Sequence, residues 1–319
     1  MISFVGAGPG DLELLTVKGK RRLQEADAVI YDRLVNPLLL FYCKADCALI
    51  YVGKTPYQNS MKQEAINQLL IDTEKKYAQV VRLKGGDPGI FGRLTEELET
   101  VTSEGISFEI IPGITAASGT AAYSGISLTE RTRARAVTFM TGHVKENEIA
   151  AFPVLTEEQT LCVYMGVEAL PSFITHLSSN GFSPRTEIAV ISWGTYGRQK
   201  KVTGTLSTIL PMIAEAGLKN PAMILIGEVV SSEQKFNWFE KLPKYGLRCL
   251  LVSTRSPTID ELLQYTSAGA DVWWHQVGEK RDLRFDSISD RYLAEQTFEQ
   301  IIFMEQAAEG LFSNKQRGE

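Results

Sequence analysis

The chain has no apolar run approaching the roughly 20 residues needed to span a bilayer. Its opening, MISFVGAGPGD, lacks the basic start, long apolar stretch and small-residue cleavage site of a secretory signal. We therefore expect a cytoplasmic protein with no membrane partner. Histidine is scarce at 3 residues and cysteine at 4. Cys43 and Cys47 lie one helical turn apart, but no second Cys or His pair is near them, and His143, His176 and His275 show no ligand spacing. No metal site is expected, and the thiols suit a reducing compartment. Positive charge is also in deficit, with 33 Lys and Arg against 38 Asp and Glu, a net charge of −5. Such a chain has no global electrostatic footprint for nucleic acid, so any anionic ligand must be held by a local basic cluster.

What is present is an ordinary globular composition, 44% apolar and 22% charged over 319 residues. That length suggests two domains and an appendage. Short β-rich runs at 2–6, 27–31, 48–52, 79–83 and 108–111 alternate with helical patterns at 16–26, 37–43, 60–77 and 91–104. Strands separated by helices of this length predict right-handed βαβ units and a largely parallel sheet. Pro112-Gly113 breaks the pattern, and the small-residue run 115–125 reads as a hinge. Further strands are predicted at 136–140, 160–165, 187–192 and 222–226, with helices near 168–180 and 206–215. Residues 231–245 read as a linker. The remainder, RCLLVSTR (248–255), a helical stretch, ADVWWHQV (270–277) and FEQIIFM (298–304), reads as a third, small α/β piece. The expected fold class is α/β, with domains at 1–113 and 114–240 and a tail at 241–319.

Four loops follow predicted strands. Gly6-Ala7-Gly8-Pro9-Gly10-Asp11 allows close backbone approach to a ligand. It lacks the third glycine of a dinucleotide fingerprint, where Asp11 stands, which argues against NAD. Gly85-Gly86-Asp87 exposes backbone, with Asp87 able to accept from a ribose or an amine. Thr115 is placed to cap a helix or offer its hydroxyl. Tyr164-Met165-Gly166 ends a strand, Met being more often core than functional. For each of these a plain turn, cap or core role remains open. Asp32 and Arg33 end a strand where charge faces a crevice. Arg131, Arg133 and Arg135 concentrate guanidinium groups suited to carboxylates, a solvated basic loop being the alternative.

Taken in order, VGAGPGD (5–11), LLTVKG (14–19), ADAVIYDRLV (26–35), YVGK (51–54), VVRLKGGDP (80–88), IFGR (90–93), PGITAASG (112–119), TGH (141–143), YMG (164–166) and PAMILIGEVV (221–230) resemble the tetrapyrrole methylases over residues 1–240. The resemblance implies two α/β domains with a cleft between them, a homodimer, and S-adenosylmethionine as cofactor, leaving as S-adenosylhomocysteine. Carried over motif by motif, it assigns cofactor contacts to Pro9, Gly85, Gly86, Asp87, Ile90, Thr115, Ala116, Met165, Gly194 and Ala222. It places a proton acceptor at Asp32, a proton donor at Lys54, and substrate-facing groups at Arg93, Glu96 and Arg131. The implied substrate is uroporphyrinogen III, methylated at C2 and then C7 to give precorrin-2 for sirohaem or cobalamin. The alternatives are a later corrinoid methylase and a cofactor-binding homologue without turnover. The chain departs from the family pattern at Asn59, Gly89, Leu94-Thr95, Ser127 and Glu130. The tail resembles the opening of uroporphyrinogen-III synthase but is too short for that enzyme's two-domain cleft, so it reads as a remnant or truncated fusion, or as a dimer support.

Overall fold

Parallel sheets are covered on both faces, and the first sheet is built from parallel, mainly apolar strands. A computed structural model describes residues 1–53, 61–142, 155–156 and 158–317. Strands β1 (Ile2–Gly6), β2 (Ala28–Tyr31), β3 (Ala48–Tyr51), β4 (Val80–Lys84) and β5 (Phe108–Ile111) form one parallel sheet in the order β3-β2-β4-β1-β5. Helices α1 (Val17–Glu25), α2 (Gln63–Glu74) and α3 (Leu94–Ser103) supply crossovers. Thr16 starts α1 as the pattern requires, its hydroxyl accepting from Gly19 N at 3.1 Å. The segment read as a helix at 37–43 is a tighter 3₁₀ turn over Pro37–Tyr42, with the Asn36 side chain accepting from Leu38 N.

The second sheet is mixed. It holds β6 (Ala136–Thr141), β7 (Gln159–Tyr164), β8 (Glu187–Ser192), β9 (Lys200–Thr205) and β10 (Ala222–Ile226) in the order β6-β7-β10-β8-β9, and only the β6–β7 pair is parallel. Helices α4 (Ala116–Tyr123), α5 (Leu170–Ser179) and α6 (Ile209–Ala216) belong with it. Two expectations are corrected. The small-residue run after Pro112 is helix α4, since Ala and Thr pack tightly there, with Ala117, Gly119, Thr120 and Ala121 buried. The expected linker at 231–245 holds α7 (Glu233–Phe236) and a 3₁₀ turn at Phe239–Lys241; Phe239 is buried against Tyr123, and the Trp238 indole donates to Ala122 O at 3.0 Å. Strand β9, KKVTGT, was not predicted.

The C-terminal piece is a three-stranded parallel sheet, β12-β11-β13, built from β11 (Arg248–Ser253), β12 (Asp271–Gln276) and β13 (Gln300–Phe303) with helices α8 (Ile259–Thr266), α9 (Asp286–Glu295) and α10 (Gln306–Arg317). Thr258 and Glu261 close a capping box on α8. The chain forms two compact units, one of residues 1–114, 196–198 and 243–319, the other of 115–195 and 199–242. The C-terminal piece thus shares a unit with the first sheet and a core with it: Leu23, Leu38, Leu39 and Leu40 lie in the same buried cluster as Trp273 and Trp274. Phe41 stacks on Phe285 with centroids 4.1 Å apart, and the Arg284 guanidinium donates to the carbonyls of Lys44 and Cys47, both at 2.8 Å.

On β5, Glu109 accepts from Ser3 Oγ at 3.0 Å, pairs with Lys18 at 2.6 Å and is hydrogen-bonded by Arg22. The Arg22 hydrogen bond, above all, holds its carboxyl down at about 2. A depressed carboxyl stabilises the fold above its unfolded value and loses that contribution as pH falls. Glu109→Gln should therefore cost about 1–2 kcal/mol at pH 7. The gap from the parent should close between about pH 4.5 and about pH 2, as read by urea unfolding across that range.

Candidate active site

All five strands of the first sheet run one way, so the loops after β1, β2, β4 and β5 leave from a single end, where open α/β sheets bind ligands. Three glycines make that end. A Cβ on Gly6 would stand 2.5 Å from Gly113 N and 2.8 Å from Gly86 O, and one on Gly113 would stand 2.3 Å from Gly86 O. Backbone thus packs directly on backbone. Gly8 and Gly86, both with positive φ, exchange hydrogen bonds, Gly86 N donating to Gly8 O at 2.8 Å and Gly8 N to Gly86 O at 3.2 Å. Pro9 sits half-buried on this loop. The Asp87 carboxylate is structural as well as available: one oxygen accepts from Gly89 N at 2.8 Å, the other from Gly113 N at 3.0 Å. Ile90 follows it, its N–H on Asp87 O.

Beneath the glycines lies a charged group that sequence reasoning did not assemble. Arg82 and Lys84 alternate on β4, so both face one side. Glu97 of α3, fully buried, accepts from Arg82 Nε at 3.0 Å and from Lys84 Nζ at 2.6 Å. One carboxylate answers two cations. The balancing charge is Asp32, whose Oδ2 lies 3.6 Å from the Arg82 guanidinium, while its Oδ1 accepts from Leu34 N at 2.9 Å. Burial, and then the neighbouring Arg82, push the Lys84 amine below its usual value. The signal was legible in principle, because two cations in a central parallel strand are out of place unless paired.

Arg93 and Glu96 meet each other across the first turn of α3, with Arg93 Nε donating to Glu96 Oε1 at 2.7 Å, and both are exposed. The hydrogen bond from Arg93 holds the Glu96 carboxyl below its usual range. Phe91 and Arg93 both take positive φ, a strained pair of the kind that collects at functional sites. Lys54, with Asn59, lies outside the described residues.

In the second unit, strand register brings the end of β7 beside the start of β10 and the end of β8: Met223 pairs Tyr164, and Ala222 pairs Ser192. Met165, Ala222 and Gly194 therefore share one end of the sheet. Met165 takes φ 53 and is 47% exposed, so the backbone is bent to present an apolar side chain rather than bury it. Thr115 occupies the N-cap position of α4 without capping it. Its hydroxyl bonds the Tyr164 hydroxyl at 2.7 Å, and Tyr164 accepts the Ala117 N–H at 3.3 Å. This places Thr115 and Ala116 at the same end of the sheet as Met165. Gly194 rests on Thr120, where a Cβ would stand 2.2 Å from the hydroxyl. Arg131 is not brought to this end. Its loop enters β6 beside the start of β7, with Arg135 N on Glu158 O, and Arg133 in that loop is tied to Glu130 and Ser231.

The chain is similar, in sequence and in fold, to known proteins. Residues 1–210 match the family of tetrapyrrole (corrin/porphyrin) methylases. The chain belongs to this family. A siroheme synthase of Pseudoalteromonas atlantica is 48% identical over 240 residues, 75% of this chain and 52% of that protein. A uroporphyrinogen-III C-methyltransferase of Priestia megaterium is 46% identical over 233 residues, 72% of this chain and 98% of that protein. The solved uroporphyrin-III C-methyltransferase of Thermus thermophilus, complexed with S-adenosylhomocysteine, aligns at a TM-score of 0.60 and 35% identity over 72% of this chain and 98% of its own. This methylase-family chain spans about half the length of most of the curated relatives it matches.

Gly113→Ala should destabilise the chain by about 2–3 kcal/mol in urea unfolding, because neither neighbouring backbone can yield. Gly310→Ala, in α10 with nothing within 4 Å of the new methyl, should stabilise by about 0.5–1 kcal/mol. Glu97→Gln should cost about 3–5 kcal/mol, since it leaves two buried cations facing a neutral amide.

Proposed function

We propose that this chain is a uroporphyrinogen-III C-methyltransferase, transferring methyl groups from S-adenosylmethionine to C2 and then C7 to give precorrin-2. The observation that carries the reading is the 46% identity to the Priestia enzyme across almost all of that protein. We further propose a homodimer in the cytoplasm, with 1–113 and 114–240 as the methylase domains and 241–319 as an appended piece.

The residues present suit the cofactor. Gly85 and Gly86 are half-buried and put no side chain between backbone and ligand, and a Cβ on Gly85 would already meet Leu34 Cβ at 2.8 Å. Pro9, Asp87 and Ile90 flank that turn; Thr115, Ala116, Met165, Gly194 and Ala222 offer a small-walled, partly apolar surface for an adenosine and a thioether. When bound, S-adenosylmethionine supplies an electrophilic methyl on a sulfonium.

An electron-rich ring carbon of the macrocycle needs little activation, so holding it in line contributes much of the rate. As its electron pair forms the new carbon–carbon bond, the methyl–sulfur bond would break with its electrons staying on sulfur, so that S-adenosylhomocysteine leaves, positive charge develops on the ring, and the ring then gives up a proton. Asp32 is placed to accept it. Its side chain is 27% exposed at the end of β2, and its unused lone pairs remain open to substrate. Lys54 serves as proton donor. Arg93 and Glu96 are proposed to face the substrate, Arg93 being half-committed to Glu96 until a carboxylate competes for it, whereas Arg131, whose loop lies at the other end of the second sheet, is left out of that role.

The test is to incubate the chain anaerobically with labelled S-adenosylmethionine and uroporphyrinogen III and read product mass after oxidation. Two methyls per macrocycle support the reading, and none, with cofactor bound, would overturn it in favour of a later corrinoid substrate or a binding protein. Asp32→Asn should lower turnover by about 10²-fold while S-adenosylhomocysteine still binds.

A further inference from the structure

The turn carrying Gly194 is strained. Trp193 and Thr195, on either side of it, take φ 52 and φ 71, left-handed values that non-glycine residues rarely hold unless their surroundings enforce them. On the entry side the enforcement is β-sheet: Ser192 Oγ donates to Lys219 O at 2.6 Å, and Trp193 N donates to Pro221 O at 3.0 Å. Thr195 N closes the turn onto Gln199 Oε1 at 2.9 Å.

On the exit side the next three residues, Tyr196–Arg198, belong to the other unit, and the C-terminal piece holds them. Gly197 lies flat on the turn before β12: a Cβ there would stand 2.3 Å from Ala270 C and from Asp271 N. Its carbonyl accepts from Gly246 N at 2.9 Å. Arg198, 6% exposed, sets Nε 3.3 Å from the Asp271 carboxylate, hydrogen-bonds the Tyr292 hydroxyl and lies over the Tyr196 ring at 5.1 Å. Ala270, Asp271, Gly246 and Tyr292 all come from the C-terminal piece, which lies beyond the 210 residues that match the family.

We propose that the C-terminal piece is a positioning element for the cofactor turn: by gripping Tyr196–Arg198 it holds the strained Trp193–Thr195 backbone in the conformation that presents Gly194 to S-adenosylmethionine. Asp271 is the central positioning residue, and the proposal rests on the cofactor role assigned to Gly194 above. Releasing the grip lets the turn relax away from its left-handed values, and part of the cofactor's binding energy then goes to restoring them.

The experiment is calorimetric titration of S-adenosylhomocysteine into the full chain and three variants. Asp271→Asn keeps shape and removes the charge, and Gly197→Ala drives the segment off β12. Ser289→Ala removes the hydrogen-bond partner of Trp273 Nε1 elsewhere in the same piece, as a control for general loosening. Asp271→Asn and Gly197→Ala should each raise Kd about tenfold, a typical coupling between sites. Ser289→Ala should stay within about twofold of the parent. At saturating S-adenosylmethionine, Asp271→Asn should turn over at the parental rate, so that the defect appears in the cofactor KM and not in kcat. An unchanged Kd in Asp271→Asn overturns the proposal, as does an equal loss in Ser289→Ala. A parent chain that binds no S-adenosylhomocysteine overturns the cofactor reading itself, and this proposal with it.

Discussion

Direct packing of backbone on backbone at Gly6, Gly86 and Gly113 is the constraint on which the loop end of the first sheet depends. Three strand-end loops converge closer than any side chain allows, the nearest approach leaving 2.3 Å where a Cβ would go. Because the loops touch, Asp87 can reach from one to the next and tie Gly113 by its amide, and Gly8 can pair with Gly86. The shape of the surface above is then a property of peptide groups, which are stiff, and not of rotamers, which are not.

Charge is handled underneath, inside the sheet. Arg82, Lys84, Glu97 and Asp32 make two cations and two carboxylates, of which only Asp32 reaches solvent appreciably. A buried network of this sort adds little stability over well-packed apolar residues, and it is costly once a member is removed. Its value here is to fix the Asp32 side chain from behind while leaving one face open. The C-terminal piece adds a second support. It is no pendant: its tryptophans share a core with Leu38–Leu40, and Arg284 satisfies two carbonyls at Lys44 and Cys47.

Much of this was legible from residue order. The central strands of the first sheet are runs of β-branched and aromatic residues, and each glycine-rich turn follows such a run, so both the sheet and its glycine-lined end could be read directly. Strand β9 could not, because KKVTGT is a polar edge strand paired on one side only, with no apolar face to reveal it. Helix α4 looked like a hinge because Ala, Ser and Gly report small volume, and small volume serves close helix packing as well as flexibility. Residues 231–245 read as a linker because their apolar members are too sparse for a period, although two of them, Trp238 and Phe239, pack on Tyr123.

The order of residues alone determined the alternation of strands and helices, the glycines at the strand ends, and membership of a methylase family through ten collinear motifs. Each of these is local, readable within about ten residues. Tertiary structure decided what depends on partners far along the chain. It turned Asp87 into a strut for Gly113, 26 residues on, gave Glu97 two cations from a strand 13 and 15 residues back, and gave the Thr115 hydroxyl to Tyr164 in place of its own helix. It carried Arg131 away from the end of the sheet where Met165 stands, and it set Arg198 beside Asp271. The physical reason is that backbone preference acts between neighbours, whereas a buried charge or an unfilled Cβ position is defined only by whatever the fold brings against it.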